Sequence, residues 1–182
     1  MTASAPAADA VAATPFTLRA ARPADAAAIA AIYNQGIDDR VATFETEHRD
    51  ADAIAAWFKA GHPLVVVEDT SGSIVSYAVA FPYRTRPCYE GVREFSVYVR
   101  RDARGTGCGR AALAGLIETA RMGGAWKLLS RIFPENTASL ALCRSLGFRE
   151  VGTYTRHGKL DGRWRDTVIV EKLIDEEGKP CG

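Results

Sequence analysis

The chain has 182 residues, of which 47% are hydrophobic and 25% are charged. This composition is typical of a globular protein and excludes a disordered, collagen-like or coiled-coil chain. The length fits a single domain with one substantial core. The formal net charge is only +1, which argues against a protein that wraps nucleic acid or coats an anionic membrane. We therefore expect neither nucleic acid nor a membrane as a partner, and any cationic site should be local.

The two chain ends differ in composition from the rest. Residues 1–15 are rich in Ala, Pro and Thr and contain no Lys or Arg, so they lack the basic and strongly apolar parts of a signal peptide. We predict a tail over 1–15, one domain over 16–174 and a second tail over 175–182. The four cysteines form no CxxC pair, and no run approaches the roughly 20 apolar residues of a membrane span. We interpret the cysteines as reduced thiols of a cytoplasmic protein.

Hydrophobic periodicity divides the domain into strands and helices. Pro23 lies in the first turn of the first predicted helix and Gly36 ends it, while Asn136 caps the last helix and Gly147 follows it. In chain order we predict strand 16–19, helices 23–36 and 51–61, strands 64–67, 74–81 and 92–99, helix 108–122, strand 126–133, helix 136–146, and strands 148–155 and 167–173. The order βααβββαβαββ indicates a mixed α/β domain.

A glycine-rich segment between the predicted strand 92–99 and the predicted helix 108–122 is the most informative part of the chain. It reads Arg104-Gly105-Thr106-Gly107-Cys108-Gly109-Arg110. Glycines let backbone N–H groups turn towards an anion, and the start of the following helix adds its positive dipole end. The segment therefore predicts a phosphate site. The alternative is a glycine-rich loop that serves only a tight turn.

Two common phosphate-binding loops do not fit this segment. A Walker loop needs Lys-Ser or Lys-Thr after its glycines, and neither pair follows here. The dinucleotide fingerprint would need glycine where Arg110 stands, and it belongs to a parallel βαβ unit. We therefore expect neither hydrolysis of a nucleoside triphosphate nor binding of NAD.

The remaining pattern, Arg104-x-x-Gly107-x-Gly109, resembles the pyrophosphate-binding motif of the GCN5-related N-acetyltransferase (GNAT) family. Pro134-Glu135-Asn136-Thr137-Ala138-Ser139 and Leu146-Gly147-Phe148 resemble the family's Asn-capped helix and its end. The resemblance covers about residues 16–174. It implies the GNAT fold, an α/β domain with a mixed, mostly antiparallel central sheet and helices on both faces. It also implies acetyl-CoA as co-substrate and a homodimer.

Twelve positions match the coenzyme site of that family. The resemblance assigns the diphosphate to the loop and its two flanking arginines, and it assigns the pantetheine arm to the backbone of Val97-Tyr98-Val99. The implied coenzyme-binding residues are Val97, Tyr98, Val99, Arg104, Gly105, Thr106, Gly107, Cys108, Gly109, Arg110, Asn136 and Ser139. The strand over 97–99 should separate from its neighbour, which would leave one backbone N–H to polarise the thioester oxygen.

Further segments resemble the phosphinothricin N-acetyltransferases and their relatives that act on methionine sulfoximine and arsinothricin. These segments are Tyr33-Asn34, Ala42-Thr43-Phe44-Glu45, Arg84-Thr85-Arg86-Pro87, Glu94-Phe95-Ser96-Val97-Tyr98-Val99 and Gly162-Arg163-Trp164-Arg165-Asp166. Within that group the residues around Phe44 and Tyr98 are most similar to the arsinothricin enzymes. The resemblance implies acetylation of the α-amine of a small glutamate analogue by direct transfer in a ternary complex, which confers resistance to the compound.

The charge between residues 84 and 110 fits an anionic substrate. Seven arginines and three acidic residues give this segment a local charge of +4. Arg84 and Arg86 stand two apart, so an extended backbone would place them on one side, where they could bind a carboxylate and a phosphinate or arsinate. The alternative is a solvated pair of surface arginines.

Glu94 is the candidate general base, because an amine attacks a thioester only after losing its proton and a free α-amine is largely protonated at neutral pH. It matches the position of the family's proposed base, acting directly or through one water. Its alternative role is a salt bridge with Arg93 or another neighbour. Tyr98 and Phe44 would form walls of the amine pocket, with Glu45 beside them, although aromatic residues on strands often serve the core.

Several chemical groups stay outside the predicted site. Many relatives carry Tyr or His where this chain has Cys143, so a proton donor for the leaving sulfur is missing, and we interpret Cys143 as a buried structural thiol. The three histidines have no metal-ligand spacing, and we expect no metal. Trp164 is expected to pack and Asp166 to hold a loop.

Two other functions remain open at this point. Acetylation of a peptide or protein amine would require an open groove and fewer arginines at positions 84 and 86. A non-catalytic acyl-CoA-binding module would tolerate replacement of Glu94. Assays with acetyl-CoA and a panel of amines distinguish these possibilities from the small-molecule acetyltransferase.

Overall fold

The computed structural model describes residues 16–174, and the predicted tails over 1–15 and 175–182 lie outside them. The elements follow the predicted order βααβββαβαββ. They are β1 (Thr17–Ala20), α1 (Ala26–Asp38), α2 (Ala51–Lys59), β2 (Leu64–Glu68), β3 (Ile74–Pro82), β4 (Val92–Val99), α3 (Cys108–Met122), β5 (Lys127–Ile132), α4 (Thr137–Ser145), β6 (Arg149–Leu160) and β7 (Arg163–Leu173).

The seven strands form one sheet in the order β1-β2-β3-β4-β5-β7-β6. Strands β4 and β5 pair in parallel, and the other five neighbouring pairs are antiparallel. The expectation of a mixed, mostly antiparallel sheet is therefore confirmed.

Two hydrophobic cores lie on opposite faces of the sheet, which confirms helices on both faces. Because side chains alternate along a strand, β2 contributes to both cores: Leu64 and Val66 pack with α1 and α2, while Val65 and Val67 pack with α3. Burial on both faces explains why this strand is continuously apolar. The two-sided packing also places helix ends from both layers near the middle of the sheet.

Side-chain caps start two of the helices. The Asp50 carboxylate accepts a hydrogen bond from the backbone N–H of Ala53 at 2.8 Å, which begins α2. The Asn136 side chain accepts one from Ser139 N at 3.1 Å, which begins α4 as predicted. Each cap satisfies a backbone donor that the first helical turn cannot pair by itself.

Helix α1 continues past the glycine that was expected to end it. Gly36 lies inside α1 and is buried. A Cβ atom there would lie 2.6 Å from Cε1 of Tyr98, so glycine is present because the Tyr98 ring lies against the helix backbone. The prediction of a helix end at Gly36 is wrong. Glycine is favoured where a helix ends, but it is equally favoured where another side chain packs directly against the helix backbone.

The last two strands are longer than predicted and form a hairpin. Asp161 and Gly162 join β6 to β7, and both have positive φ, at 48° and 78°, as a two-residue hairpin turn requires. His157 therefore lies in β6 and not in a loop. Strand β6 forms one edge of the sheet, and nearly all its residues are exposed.

No helix within residues 16–174 combines the length and apolar character needed to cross a bilayer. Cys88 is an exposed free thiol, and Cys108 and Cys143 are buried free thiols. The fourth cysteine, Cys181, lies outside the described residues.

Candidate active site

Strands β4 and β5 separate after a short stretch of pairing. Their paired residues run only from Val92 with Lys127 to Glu94 with Leu129, although β4 continues to Val99 and β5 to Ile132. Residues 95–99 of β4 still pair with β3 on the other side. This half of β4 therefore has one backbone edge without a strand partner, as predicted for 97–99.

The glycine-rich loop turns directly into α3. Gly105 and Gly107 have φ of 79° and 93°, a left-handed backbone that favours glycine. Gly107 is the N-cap of α3, so the unpaired N–H groups of the first turn and the positive dipole end face the loop. A Cβ on Gly109 would lie 2.9 Å from Val99, which shows how closely α3 packs on β4. These features fit the binding of an anionic diphosphate.

A cleft of about 540 Å³ joins the loop to the open edge of β4, and we call it the main cleft. Eleven of the twelve predicted coenzyme residues line it. They are Val97, Tyr98, Val99, Arg104, Gly105, Gly107, Cys108, Gly109, Arg110, Asn136 and Ser139. Thr106 does not, and its hydroxyl instead donates to the Ala103 carbonyl oxygen at 2.6 Å. Asn136 also donates to the Val41 carbonyl oxygen at 3.2 Å, which holds the segment after α1 against α4.

Asp39 is a residue of the main cleft that the sequence analysis missed. Its carboxylate pairs with Arg104 at 2.6 Å and with Arg101 at 2.7 Å. Burial acts in the opposite direction, but the two arginines hold the pKa of Asp39 below its ordinary value. The Arg104 guanidinium therefore already has one anionic partner beside the loop. No local pattern reveals this pair, because Asp39 and Arg104 are distant in sequence.

Glu94 lies at the last paired position of β4, where the two strands separate. Its carboxylate accepts hydrogen bonds from Nε and Nη2 of Arg131 at 2.7 and 2.8 Å. Arg131 also lies 3.2 Å from Nε2 of His157. The salt-bridge partner is thus neither Arg93 nor a sequence neighbour but a residue of β5. Glu94, Ser96 and Tyr98 share one face of β4, since side chains alternate along a strand.

A second cavity of about 250 Å³ lies on that face, between the sheet and helices α1 and α2. Tyr98 lines both this cavity and the main cleft. The lining of the second cavity is aromatic and polar, and it consists of Tyr33, Glu45, Arg49, Trp57, Tyr77, Val79, Phe81, Ser96 and Tyr98. The Tyr98 ring stacks on Tyr77 at a centroid distance of 5.5 Å. The tyrosine predicted as a pocket wall therefore stands between two cavities.

The other predicted acceptor residues are dispersed. Glu45 lines the second cavity, but Phe44 packs edge-on against Phe133 at 4.8 Å and contributes to neither cavity. Arg84 and Arg86 are exposed beyond the end of β3, and the Arg84 guanidinium lies 5.1 Å from the centre of the Tyr83 ring. The extended backbone that would align the two arginines is not present, because the chain bends after Pro82.

Cys143 is buried in the core between α4 and the sheet. Burial raises the pKa of its thiol to about 12, so the thiol stays protonated and unreactive near neutral pH. Asp166 accepts a hydrogen bond from the backbone N–H of Arg156 at 2.7 Å, which is a local structural role. Trp164 is exposed and packs against Lys159, and it belongs to neither hydrophobic core. Within residues 16–174, no group of His, Cys, Asp and Glu side chains could hold a metal ion.

Comparison with known proteins agrees with this geometry. Residues 16–149 match the model of the acetyltransferase (GNAT) domain. The chain is 37% identical to the L-amino acid N-acyltransferase MnaT of Escherichia coli, over 91% of this chain and 98% of the relative. It is 36% identical to the L-methionine sulfoximine/L-methionine sulfone acetyltransferase of Pseudomonas paraeruginosa, over 87% of this chain and 95% of the relative.

A phosphinothricin N-acetyltransferase of Alcaligenes faecalis is 37% identical and aligns with 87% of this chain and 83% of its own length. Among solved structures, yncA of Salmonella typhimurium with acetyl-CoA superposes with a TM-score of 0.85 and 34% identity, over 91% of this chain and 98% of that one. The family model, the relatives and the fold agree, and the chain belongs to the GNAT family of acetyltransferases.

Proposed function

We propose that this protein is an acetyl-CoA-dependent N-acetyltransferase that modifies the α-amine of a small anionic amino acid. The observation that carries the proposal is the main cleft, in which the N-terminus of α3 and the open edge of β4 meet. The helix end suits a diphosphate and the strand edge suits an amide-containing pantetheine arm. The solved structure of yncA with acetyl-CoA, which has the same fold, supports this interpretation.

The proposed chemistry is direct transfer in a ternary complex. The amine nitrogen forms a bond to the acyl carbon, the carbon–sulfur bond breaks and the coenzyme leaves as a thiolate. Glu94 accepts the proton of the amine, either directly or through one water. A free backbone N–H of residues 95–99 stabilises the negative charge that develops on the acyl oxygen. Cys143 plays no part, since it is buried and protonated.

The acceptor class is supported by the relatives and by the second cavity. Relatives at 36–37% identity are named for L-amino acids, methionine sulfoximine and phosphinothricin. A cavity of about 250 Å³ with Glu45 and Arg49 in its wall suits a small zwitterion better than a protein segment, which requires an open groove. We propose such an amino acid or analogue as the acceptor, with resistance to toxic members of the class as the consequence.

The main cleft can be tested with a matched pair of glycine variants. Gly107→Ala forces a side chain into a backbone with φ of 93°, and Gly72→Ala does the same at φ of 80° in the turn between β2 and β3. At both positions a Cβ would meet open space, so the backbone strain is similar. We expect only Gly107→Ala to raise the KM for acetyl-CoA, by about tenfold or more.

The assay measures thiol release from acetyl-CoA with a panel of L-methionine sulfoximine, L-phosphinothricin, L-arsinothricin and a short peptide. Equal KM values for acetyl-CoA in Gly107→Ala and Gly72→Ala would contradict the proposed coenzyme site. Faster turnover of the peptide than of every amino acid would contradict the proposed acceptor class.

A further inference from the structure

The second cavity contains two buried polar atoms that lack a partner. Nε of Arg49 and the hydroxyl oxygen of Tyr77 form no hydrogen bond within residues 16–174, and both residues line this cavity. Native proteins rarely leave such groups unpaired, because an unsatisfied buried donor destabilises the fold. Two donors in one cavity wall therefore point to a ligand that accepts hydrogen bonds from both.

Arg49 is held in place through its backbone. The Asn34 side chain accepts a hydrogen bond from the Arg49 N–H and donates one to the Arg49 carbonyl oxygen, both at 2.9 Å. This contact fixes the segment before α2 against α1, and it gives a physical reason for Asn34 beside Tyr33. Because this contact involves only the backbone of residue 49, it does not depend on the Arg49 side chain, which lines the cavity.

The charges around the cavity complement a zwitterion. Nη2 of Arg49 lies 3.1 Å from Oε1 of Glu45, and the guanidinium lies 5.9 Å from the centre of the Tyr33 ring. Burial lowers the pKa of Arg49, but Glu45 and Tyr33 more than offset this effect, so the arginine stays charged. Burial raises the pKa of Tyr77, so its hydroxyl keeps the proton it would donate.

We propose that the second cavity receives an oxyanion group of the amine acceptor and that Arg49 and Tyr77 determine specificity for it. The inference rests on the proposed acetyltransferase function. A cationic N–H and a phenolic O–H from residues that line one cavity match the oxygens of a carboxylate, phosphinate or arsinate. Since Tyr98 separates this cavity from the main cleft, an acceptor anchored here approaches the acyl group past the Tyr98 ring. Arg49 then takes the role that the sequence pattern assigned to the exposed Arg84 and Arg86.

The first test measures acceptor binding by calorimetry without acetyl-CoA. The acidic probes are L-phosphinothricin and L-glutamate, whose distal groups are anionic. L-Methionine sulfoximine, whose distal group is neutral, L-norvaline, which has no polar distal group, and the α-carboxamides of the first three amino acids complete the set. The variants are Arg49→Met and Tyr77→Phe. Arg121→Met is the matched control, because Arg121 forms an exposed pair with Glu118 on α3. Asn34 binds only the backbone of residue 49, so Arg49→Met retains that anchor.

We expect Arg49→Met to raise Kd for the acidic probes by about tenfold or more and Tyr77→Phe by about threefold or more, with Arg121→Met unchanged. If Arg49→Met no longer raises the Kd of the α-carboxamides, Arg49 binds the α-carboxylate. If Arg49→Met no longer raises the Kd of L-norvaline, Arg49 binds the distal group. Tyr77→Phe should also leave the Tm of the free protein equal or higher, since it removes an unpaired buried hydroxyl. A purely structural role of Tyr77 would instead lower the Tm.

The results separate this inference from the proposed function. Acidic probes that bind through Arg49 without thiol release from acetyl-CoA would overturn the function and leave the inference standing. Rapid thiol release that is unchanged in Arg49→Met and Tyr77→Phe would overturn the inference and leave the function standing. The inference is also overturned if no probe binds the wild-type protein, or if both variants weaken every probe equally, the α-carboxamides and L-norvaline included.

Discussion

Two structural features of Glu94 support its proposed role as general base. It lies where β4 and β5 separate, and Arg131 fixes its carboxylate through two hydrogen bonds. The ion pair fixes the orientation of the carboxylate at the position where we propose that it accepts the amine proton, directly or through one water.

Replacing Glu94 by Gln tests the base directly. Gln keeps the size of the side chain but cannot accept the amine proton, so we expect kcat/KM for the accepted amine to fall by about 100-fold. The KM for acetyl-CoA should stay unchanged. Glu118→Gln is the control, because Glu118 also pairs with an arginine at 3.0 Å but on the exposed side of α3. Wild-type kcat/KM in Glu94→Gln would remove Glu94 from the mechanism.

Helix α1 packs against strand β4 around the ring of Tyr98. Gly36 on α1 leaves space for the Tyr98 ring, and that ring separates the two cavities. Tyr98 also packs edge-on against Tyr33 at 4.9 Å. The position of the ring between the cavities thus depends on the absence of one side chain in the neighbouring helix.

Gly36→Ala should destabilise the protein, although alanine is the better helix former by about 1 kcal/mol. The added Cβ would lie 2.6 Å from the Tyr98 ring, and such overpacking typically costs about 1–3 kcal/mol. Urea denaturation measures the free energy of unfolding. Gly152→Ala, where a Cβ meets nothing within 4 Å, provides the comparison. A Gly36→Ala protein as stable as the wild type would show that the ring moves freely.

Local patterns predicted the elements well and their long-range contacts poorly. The apolar run over 64–67 and the Asn136 cap depend on nearby residues, and both appear in the structure as expected. Gly36 was misinterpreted because a helix stop and a close approach by Tyr98 favour the same residue. Arg131 beside Glu94 could not be predicted, since the contact depends on how two distant strands pair. Arg49 was missed for the same reason, because its anchor on Asn34 crosses between elements.

The exposed edge of the sheet concerns the molecule as a whole. Strand β6 is an edge strand, and Val151, Tyr154 and Trp164 of the β6–β7 hairpin are 49%, 52% and 54% exposed. Unpaired edges with apolar side chains favour association unless something covers them. We propose that a second copy of the chain covers this hairpin, in agreement with the homodimer that the family resemblance implies.

Light scattering after size-exclusion chromatography tests the dimer. The wild type should elute with twice the chain mass of 19.6 kDa. The double variant Val151→Asp with Tyr154→Asp should shift to the mass of one chain at micromolar concentration, since it places two charges in the proposed interface. Met122→Asp is the control, because Met122 is 75% exposed but lies at the end of α3. A monomeric wild type, or a double variant that remains dimeric, would contradict the proposed interface.

A cluster of charges at the opposite edge should make the stability depend on pH. Arg19 of β1 binds Asp25 at 2.7 Å and Glu68 of β2 at 2.5 Å. The hydrogen bond from Arg19 lowers the pKa of Asp25. Because the pKa of Asp25 is lowered in the folded protein, its ion pair with Arg19 contributes its full stabilisation at pH values above the ordinary pKa, near 4. The contribution is lost as the pH falls below 4 and through the lowered pKa.

Asp25→Asn should therefore reduce the free energy of unfolding at pH 7 by about 1–3 kcal/mol. The difference from the wild type should shrink as the pH falls from about 4 towards 2. Urea denaturation at several pH values measures both effects. Asp52→Asn, an exposed position in the first turn of α2, serves as the comparison. A difference that stays constant down to pH 2 would show that the Asp25 charge is not the cause.

The early separation of β4 from β5 has a consequence for how this enzyme could acquire new substrates. Every residue except proline has a backbone N–H, so the proposed contact of the coenzyme with the free edge of β4 tolerates many side-chain changes on that strand. The wall of the proposed acceptor cavity, by contrast, consists of individual side chains such as Glu45, Arg49 and Tyr77. Selection for a new amine can therefore change the residues that line the second cavity while the proposed binding of acetyl-CoA is preserved. Libraries restricted to the second cavity should change the preferred amine without loss of acetyl-CoA turnover.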